Sequence, residues 1–313
     1  MNRLAQALSF LSIVLAGSSA WAQGDEWQTL NTQIVSLSQQ GSYDRAIELA
    51  KKALSMAEEA GGSHHPLVAV SLNNLALLYK TQGRYAEAAL LYERALMIKE
   101  TVLGPHHPNV ALGLNNLAEV CRAQGNSARA ELLYRRALMI KEKTLGSDHP
   151  SVATSLNNLA ALYRTNGEYE QAEPLYKRAL AIREKALGKD HPSVATSLDN
   201  LASLYEAQGR HGQAESLYKR AMEIRERTLG ADDPAVAVSL DNLGKLYETQ
   251  GHSGRAELSY NRSLRIREKA LGRDHAAVAT SLENLATLYR NTGRERAALP
   301  LEQRATVIRA TKR

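Results

Sequence analysis

The chain reads as an all-α solenoid, a right-handed superhelix of about seven stacked helical hairpins. Three observations predict it. Slid by 42 residues, the stretch Pro150 to Gly188 lands on itself: Asn158 falls on Asn74, Asn116, Asn200, Asn242 and Asn284. Gly167 falls on Gly41, Gly83, Gly125, Gly209, Gly251 and Gly293. Within one period, two runs of helical periodicity flank that glycine. A fixed period of this length marks a stacked array, because one hairpin cannot bury its apolar face alone.

In the first run, Leu156, Leu159, Ala160 and Tyr163 recur at i, i+3, i+4, i+7, one face of an α-helix. Asn166-Gly167 supplies the turn. The second run starts near Tyr169 and carries Ala172, Leu175, Tyr176, Ala179, Leu180 and Ile182 to Leu187-Gly188. Lys189-Asp190-His191 then leads to Pro192, a residue suited to the first turn of the next helix.

The series Leu156, Leu159-Ala160, Tyr163, Gly167, Tyr169, Ala172, Tyr176, Ala179 resembles the tetratricopeptide pattern. The usual unit of about 34 residues ends in proline. Here that column holds Glu100, Glu142, Glu184, Glu226 and Glu268, so the second helix is expected to run on. The longer period and the phrase LNNLA…LY…G are similar to the repeats of kinesin light chain, which also occur in bacterial proteins. The resemblance covers residues 24 to 310. It implies a non-enzymatic scaffold holding a peptide on its first-helix face, with asparagines taking part.

In chain order, Met1 to Ala22 reads as a cleaved signal peptide. Arg3 precedes the apolar run from Leu4, and Ala20-Trp21-Ala22 is an A-x-A cleavage site. The run is short of the roughly 20 apolar residues a membrane span needs. The expected product is periplasmic or secreted and begins at Gln23. Residues 23–313 form the array, in units of about 24–62, 66–104, 108–146, 150–188, 192–230, 234–272 and 276–310. The first is degenerate, with Thr32 and Gln33 standing where Asn74 and Leu75 stand in the next. The last reads as a cap, because Glu302 replaces the tyrosine of Tyr176 and Thr306 the leucine of Leu180.

Charge and composition bound the partners. Lys+Arg total 39 against 33 Asp+Glu, a net of +6 spread along the chain, too dilute for a nucleic-acid stripe. All 13 tyrosines fall on three repeat columns, which the core is expected to claim. Cys121, the one cysteine, stands in the column of Tyr163 and reads as a small buried residue. Loop histidines His65, His107, His149, His191 and His275 share a column with Asp233, and His64 and His106 stand one place before it, which favours helix capping over metal binding. No motif for a nucleophile, a metal or a phosphate is present, so no enzyme activity, cofactor or metal is expected.

One column stands apart. Asn74, Asn116, Asn158, Asn200, Asn242 and Asn284 sit mid-helix, just off the apolar face, where asparagine is a mediocre helix former. A primary amide matches the N–H and C=O of an extended peptide. The adjacent column runs Asn73, Asn115, Asn157, then Asp199, Asp241, Glu283. Together, Asn74 to Asn284 with Asn115, Asn157, Asp199 and Asp241 form the candidate peptide-binding set. The competing reading makes the amides bond a neighbouring helix or loop. The function expected is a protein-interaction scaffold with an extended peptide or protein partner. The alternative is an accessory subunit of an envelope or secretion assembly that uses its convex face or self-association.

Overall fold

The computed structural model describes the backbone of residues 18–310 and the side chains of residues 25–310. Most of the signal-peptide segment, residues 1–17, therefore lies outside the described residues. The described chain is all α-helix, fourteen helices in seven hairpins. They divide into two compact units, residues 1–147 and 148–313.

The first unit holds α1 (Ser18–Gln39), α2 (Tyr43–Gly61), α3 (Pro66–Thr81), α4 (Tyr85–Leu103), α5 (Pro108–Ala123) and α6 (Ser127–Leu145). The second holds α7 (Pro150–Thr165), α8 (Tyr169–Leu187), α9 (Pro192–Ala207), α10 (His211–Leu229), α11 (Pro234–Thr249), α12 (Ser253–Leu271), α13 (Ala276–Asn291) and α14 (Glu295–Ala310). α1 begins at Ser18, so it spans Ala20-Trp21-Ala22 as well as the first expected unit. Within each unit, a helix packs on its hairpin partner and on the first helix of the next hairpin.

The turns follow the glycines. At the end of α7, Gly167 takes φ 81°. Its N–H bonds the carbonyl of Arg164 and that of Glu168 bonds Tyr163, closing the helix in a Schellman pattern. An L-side chain at that φ would be strained. The loop histidines cap: Nδ1 of His65, His107, His149, His191 and His275 accepts the backbone N–H two residues on, as does Oδ1 of Asp233. Five of the six helices so capped, α3, α5, α7, α9 and α11, start on proline.

The core is the repeat itself. Val152, Leu156, Leu159, Ala160 and Tyr163 of α7 and Ala172, Tyr176, Ala179 and Ile182 of α8 are buried. Cys121 is buried at 1% exposure, and that burial raises its thiol pKa. The tyrosines divide more finely than expected. The columns of Tyr79 and Tyr176 are almost wholly buried save Tyr289 in the last hairpin, but Tyr43, Tyr85 and Tyr169 are only half-buried, because they open the second helices beside the turn.

Ion pairs join successive hairpins at fixed offsets. Arg94 meets Glu58, Arg136 meets Glu100, Arg220 meets Glu184 and Arg304 meets Glu268, at 2.5–2.6 Å. The glutamates standing in the proline column thus have a use: they take the arginine of the next hairpin. Each pair is partly exposed and worth at most about 1 kcal/mol. At the last hairpin, Glu302 is half-buried and bound by Arg290 of its own hairpin, Nε and Nη2 to the two carboxylate oxygens.

Candidate functional site

The asparagine column sits at the middle of each first helix from α3 to α13. Asn74 is buried at 3% exposure, and the other five are half-buried. Their amides bridge hairpins. Nδ2 of Asn74 donates to Oδ1 of Asn31 at 2.7 Å, and Nδ2 of Asn116 donates to Oδ1 of Asn73 at 2.9 Å. In the second unit, Nδ2 of Asn200 reaches Oδ1 of Asn157 at 3.4 Å. The shared step is 43 residues: Asn74, Asn116 and Asn200 each reach the residue one place before their own counterpart. Within each unit the two candidate columns are therefore joined by rungs of a ladder. A primary amide has two N–H groups and an acceptor, and each rung uses one N–H. Asn31 is the rung that pattern reading of the first hairpin missed. It stands in the Asn73 column, is buried, and donates its own Nδ2 to the carbonyl of Trp27. A scan for asparagine at a 43-residue step would have found it.

The second-unit acids are not free charges. Oδ2 of Asp199 lies 2.5 Å from Arg225 of α10, and Oδ2 of Asp241 lies 2.6 Å from Arg267 of α12. Both pairs are largely buried. Burial pushes each carboxyl pKa up, against the pull of its arginine. Each guanidinium also donates to a serine of the following first helix, Ser239 or Ser281. Glu283 pairs with Arg309 at 2.9 Å. The acidic trend seen in sequence is thus neutralised from the second helices, whose partners lie 26 residues away. In the first unit, Lys80 binds Glu119 at 3.0 Å.

Among the described residues, no group of three or more His, Cys, Asp or Glu is placed to hold a metal ion. None of the described helices is long and apolar enough to cross a membrane.

Stacked two-helix units with a glycine turn, repeated on one register, define a helical-repeat protein. The tetratricopeptide repeat profile matches residues 28–101, 91–143, 133–185, 151–227, 193–269 and 259–309. The chain belongs to the tetratricopeptide repeat family. No curated protein matches it. Among solved structures it is similar to BtubC (BKLC) of P. vanneervenii, with 27% identity and TM-score 0.59, over 74% of this chain and 91% of that one. It is also similar to the nearly identical TPR-like repeats of a Podosopora anserina protein assigned as a kinesin light chain, at 30% identity and TM-score 0.55, over 66% of this chain and 98% of that one. The apo form of RapI shares the fold at 15% identity and TM-score 0.63, over 91% and 98% of the two chains.

Proposed function

We propose that the chain is a non-enzymatic scaffold that holds an extended peptide or protein segment along the first-helix column Asn74, Asn116, Asn158, Asn200, Asn242 and Asn284. The supporting observation is the ladder. Amides tied to the neighbouring hairpin, as at Asn74, Asn116 and Asn200, spend one N–H there and keep the second for a ligand. Pre-organised groups of this kind lose little entropy on binding. The leader-like start, Met1 to Ala22, supports export to the periplasm or beyond.

Capture from envelope extract tests the column, using the parent chain and a variant with Asn116, Asn158 and Asn200 replaced by alanine. Loss of partners from a folded variant is expected, and unchanged capture defeats the reading. The ladder adds an expectation: alanine removes the donors held by Asn73 and Asn157, so the melting midpoint should fall somewhat. N-terminal sequencing of the fractionated protein tests export. A chain beginning at Gln23 is expected, and an intact Met1 in the cytosol refutes it.

One observation favours the alternative, a structural subunit that associates through its second helices. In the first unit, Leu90 and Leu132 are 68% and 70% exposed, with the exposed Met97 and Met139 two helical turns on. If the alanine variant retains its partners and a Leu90→Ser, Leu132→Ser variant loses them, the second-helix face is the binding surface.

A further inference from the structure

From the second hairpin on, the second helices carry one cation each at the same register: Lys99, Lys141, Arg183, Arg225, Arg267 and Arg309. Three of the four in the second unit hold a carboxylate from 26 residues earlier, Asp199, Asp241 or Glu283. The fourth, Arg183, faces Asn157 in that register. It donates instead to Oγ of Ser197, the carbonyl of Ser193 and Oγ1 of Thr154. The serine 14 residues on is a second recurring acceptor, taken by Arg183, Arg225 and Arg267.

Lys99 has neither. The residue 26 before it is Asn73, whose Oδ1 already accepts from Asn116. The residue 14 after it is Gly113, the one glycine in a column otherwise held by Ser71, Ser155, Ser197, Ser239 and Ser281. The lysine stem nevertheless runs over that place: a Cβ on Gly113 would lie 3.9 Å from Lys99 Cδ. No hydrogen bond or ion pair reaches its ammonium among the described residues, and the residue is half-buried rather than sealed off.

We propose that Lys99, with Asn73 and Gly113 beside it, is a receptor for a carboxylate supplied by the partner, an Asp or Glu side chain of the bound segment. That carboxylate takes the place which Asp199 and Asp241 fill from within the chain in the second unit. The proposal rests on the scaffold reading and gives its ligand a chemistry. A partly buried ammonium without a counter-charge is costly, and a charge-assisted bond from an incoming carboxylate relieves that cost. Burial already depresses the Lys99 pKa to about 8, as expected of an ammonium short of an anion. The next cation of the column, Lys141, is buried at 3% exposure and is not offered to a ligand in this way.

The test is fluorescence anisotropy on the full chain with two labelled peptides. One is a Gly-Ser decapeptide with Glu at every third position, and the other is its Gln counterpart. The Glu peptide is expected to bind at least about tenfold more tightly. Lys99→Met should erase that preference, and Lys99→Arg should keep it. Asn73→Asp supplies the carboxylate from within the chain, so it should erase the preference and raise the melting midpoint. Equal binding of the two peptides, or a Glu preference that survives Asn73→Asp, overturns the site but leaves the scaffold reading standing. A lowered midpoint for Asn73→Asp overturns it too, by showing that no carboxylate fits beside Lys99. If neither peptide binds, the site and the peptide-holding reading fall together.

Discussion

Asn31 and Asn74 offer a direct measure of what one rung of the ladder contributes. Both side chains are buried, and the 2.7 Å bond from Asn74 Nδ2 to Asn31 Oδ1 joins α1 to α3. Asn74→Ala removes a neutral hydrogen bond worth about 0.5–1.5 kcal/mol net and strands a buried acceptor, which costs about 1–3 kcal/mol. Alanine returns up to about 0.7 kcal/mol of helix propensity. The expected net loss is about 1–3 kcal/mol. Asn31→Ala should cost a similar amount, because it strands the donor. The double variant strands nothing, so it should cost about as much as one single, leaving a coupling of about 1–2 kcal/mol. Urea melts followed by Trp27 fluorescence report on this hairpin: the ring is buried, and its Nε1 donates to Ser71 at 2.8 Å. If the two losses add within about 0.5 kcal/mol, the rung is no more than two neighbouring side chains and the ladder argument fails.

Other perturbations follow from the same geometry. Tyr176→Ala should destabilise by about 3–5 kcal/mol, because the ring is almost fully buried, whereas Glu302→Ala in the same column should cost under about 1 kcal/mol; equal losses in urea melts would show that the last hairpin is not a cap. Burial depresses Lys99 and Lys141 to about 8 each, against 10.5 for a free lysine. Above pH 8 the unfolded chain therefore holds more protons than the native one, and stability should rise by roughly 1–3 kcal/mol toward pH 10. The rise should reverse above pH 10, where Tyr218 and Tyr260, raised chiefly by burial, oppose it. Lys99→Met with Lys141→Met should flatten the rise, and a profile unchanged by that pair would contradict the assigned burial. Asp199→Asn should cost about 3–5 kcal/mol by leaving the buried Arg225 without its carboxylate, and a neutral result would mean that Ser239 alone satisfies it.

Helix boundaries, turns, caps and core were legible because each is a local signal repeated many times. Gly167 and His191 could be read from a single period, since a turn and a cap depend on residues within a few places of each other. The candidate site was legible only by halves. The asparagine column announced itself by recurring in a poor helix position, but its partners lie 43 residues back, and nothing local marks Asn31 or Asn73 as acceptors. The acids at Asp199 and Asp241 read as exposed charge for the same reason: Arg225 and Arg267 are brought to them by packing, 26 residues on. A lysine such as Lys99 could not be recognised as lacking partners until the partners of Arg225 and Arg267 had been seen. Unlike a fold signal, a missing interaction has no pattern of its own.

No tie between hairpins described above spans more than one period plus two residues. This makes the chain modular in length as well as in shape. Excising Pro192 to Asp233 would join His191 to Pro234, replacing one helix cap by another of equal function. Glu184 would then meet Arg262 in place of Arg220, and Asn157 would meet Asn242 in place of Asn200, with no new residue type at either contact. A recombination slip between near-identical repeats would thus yield a shorter protein that still closes on its own interfaces. Descendants of such a gene can change the number of rungs they offer a partner without inventing a new surface.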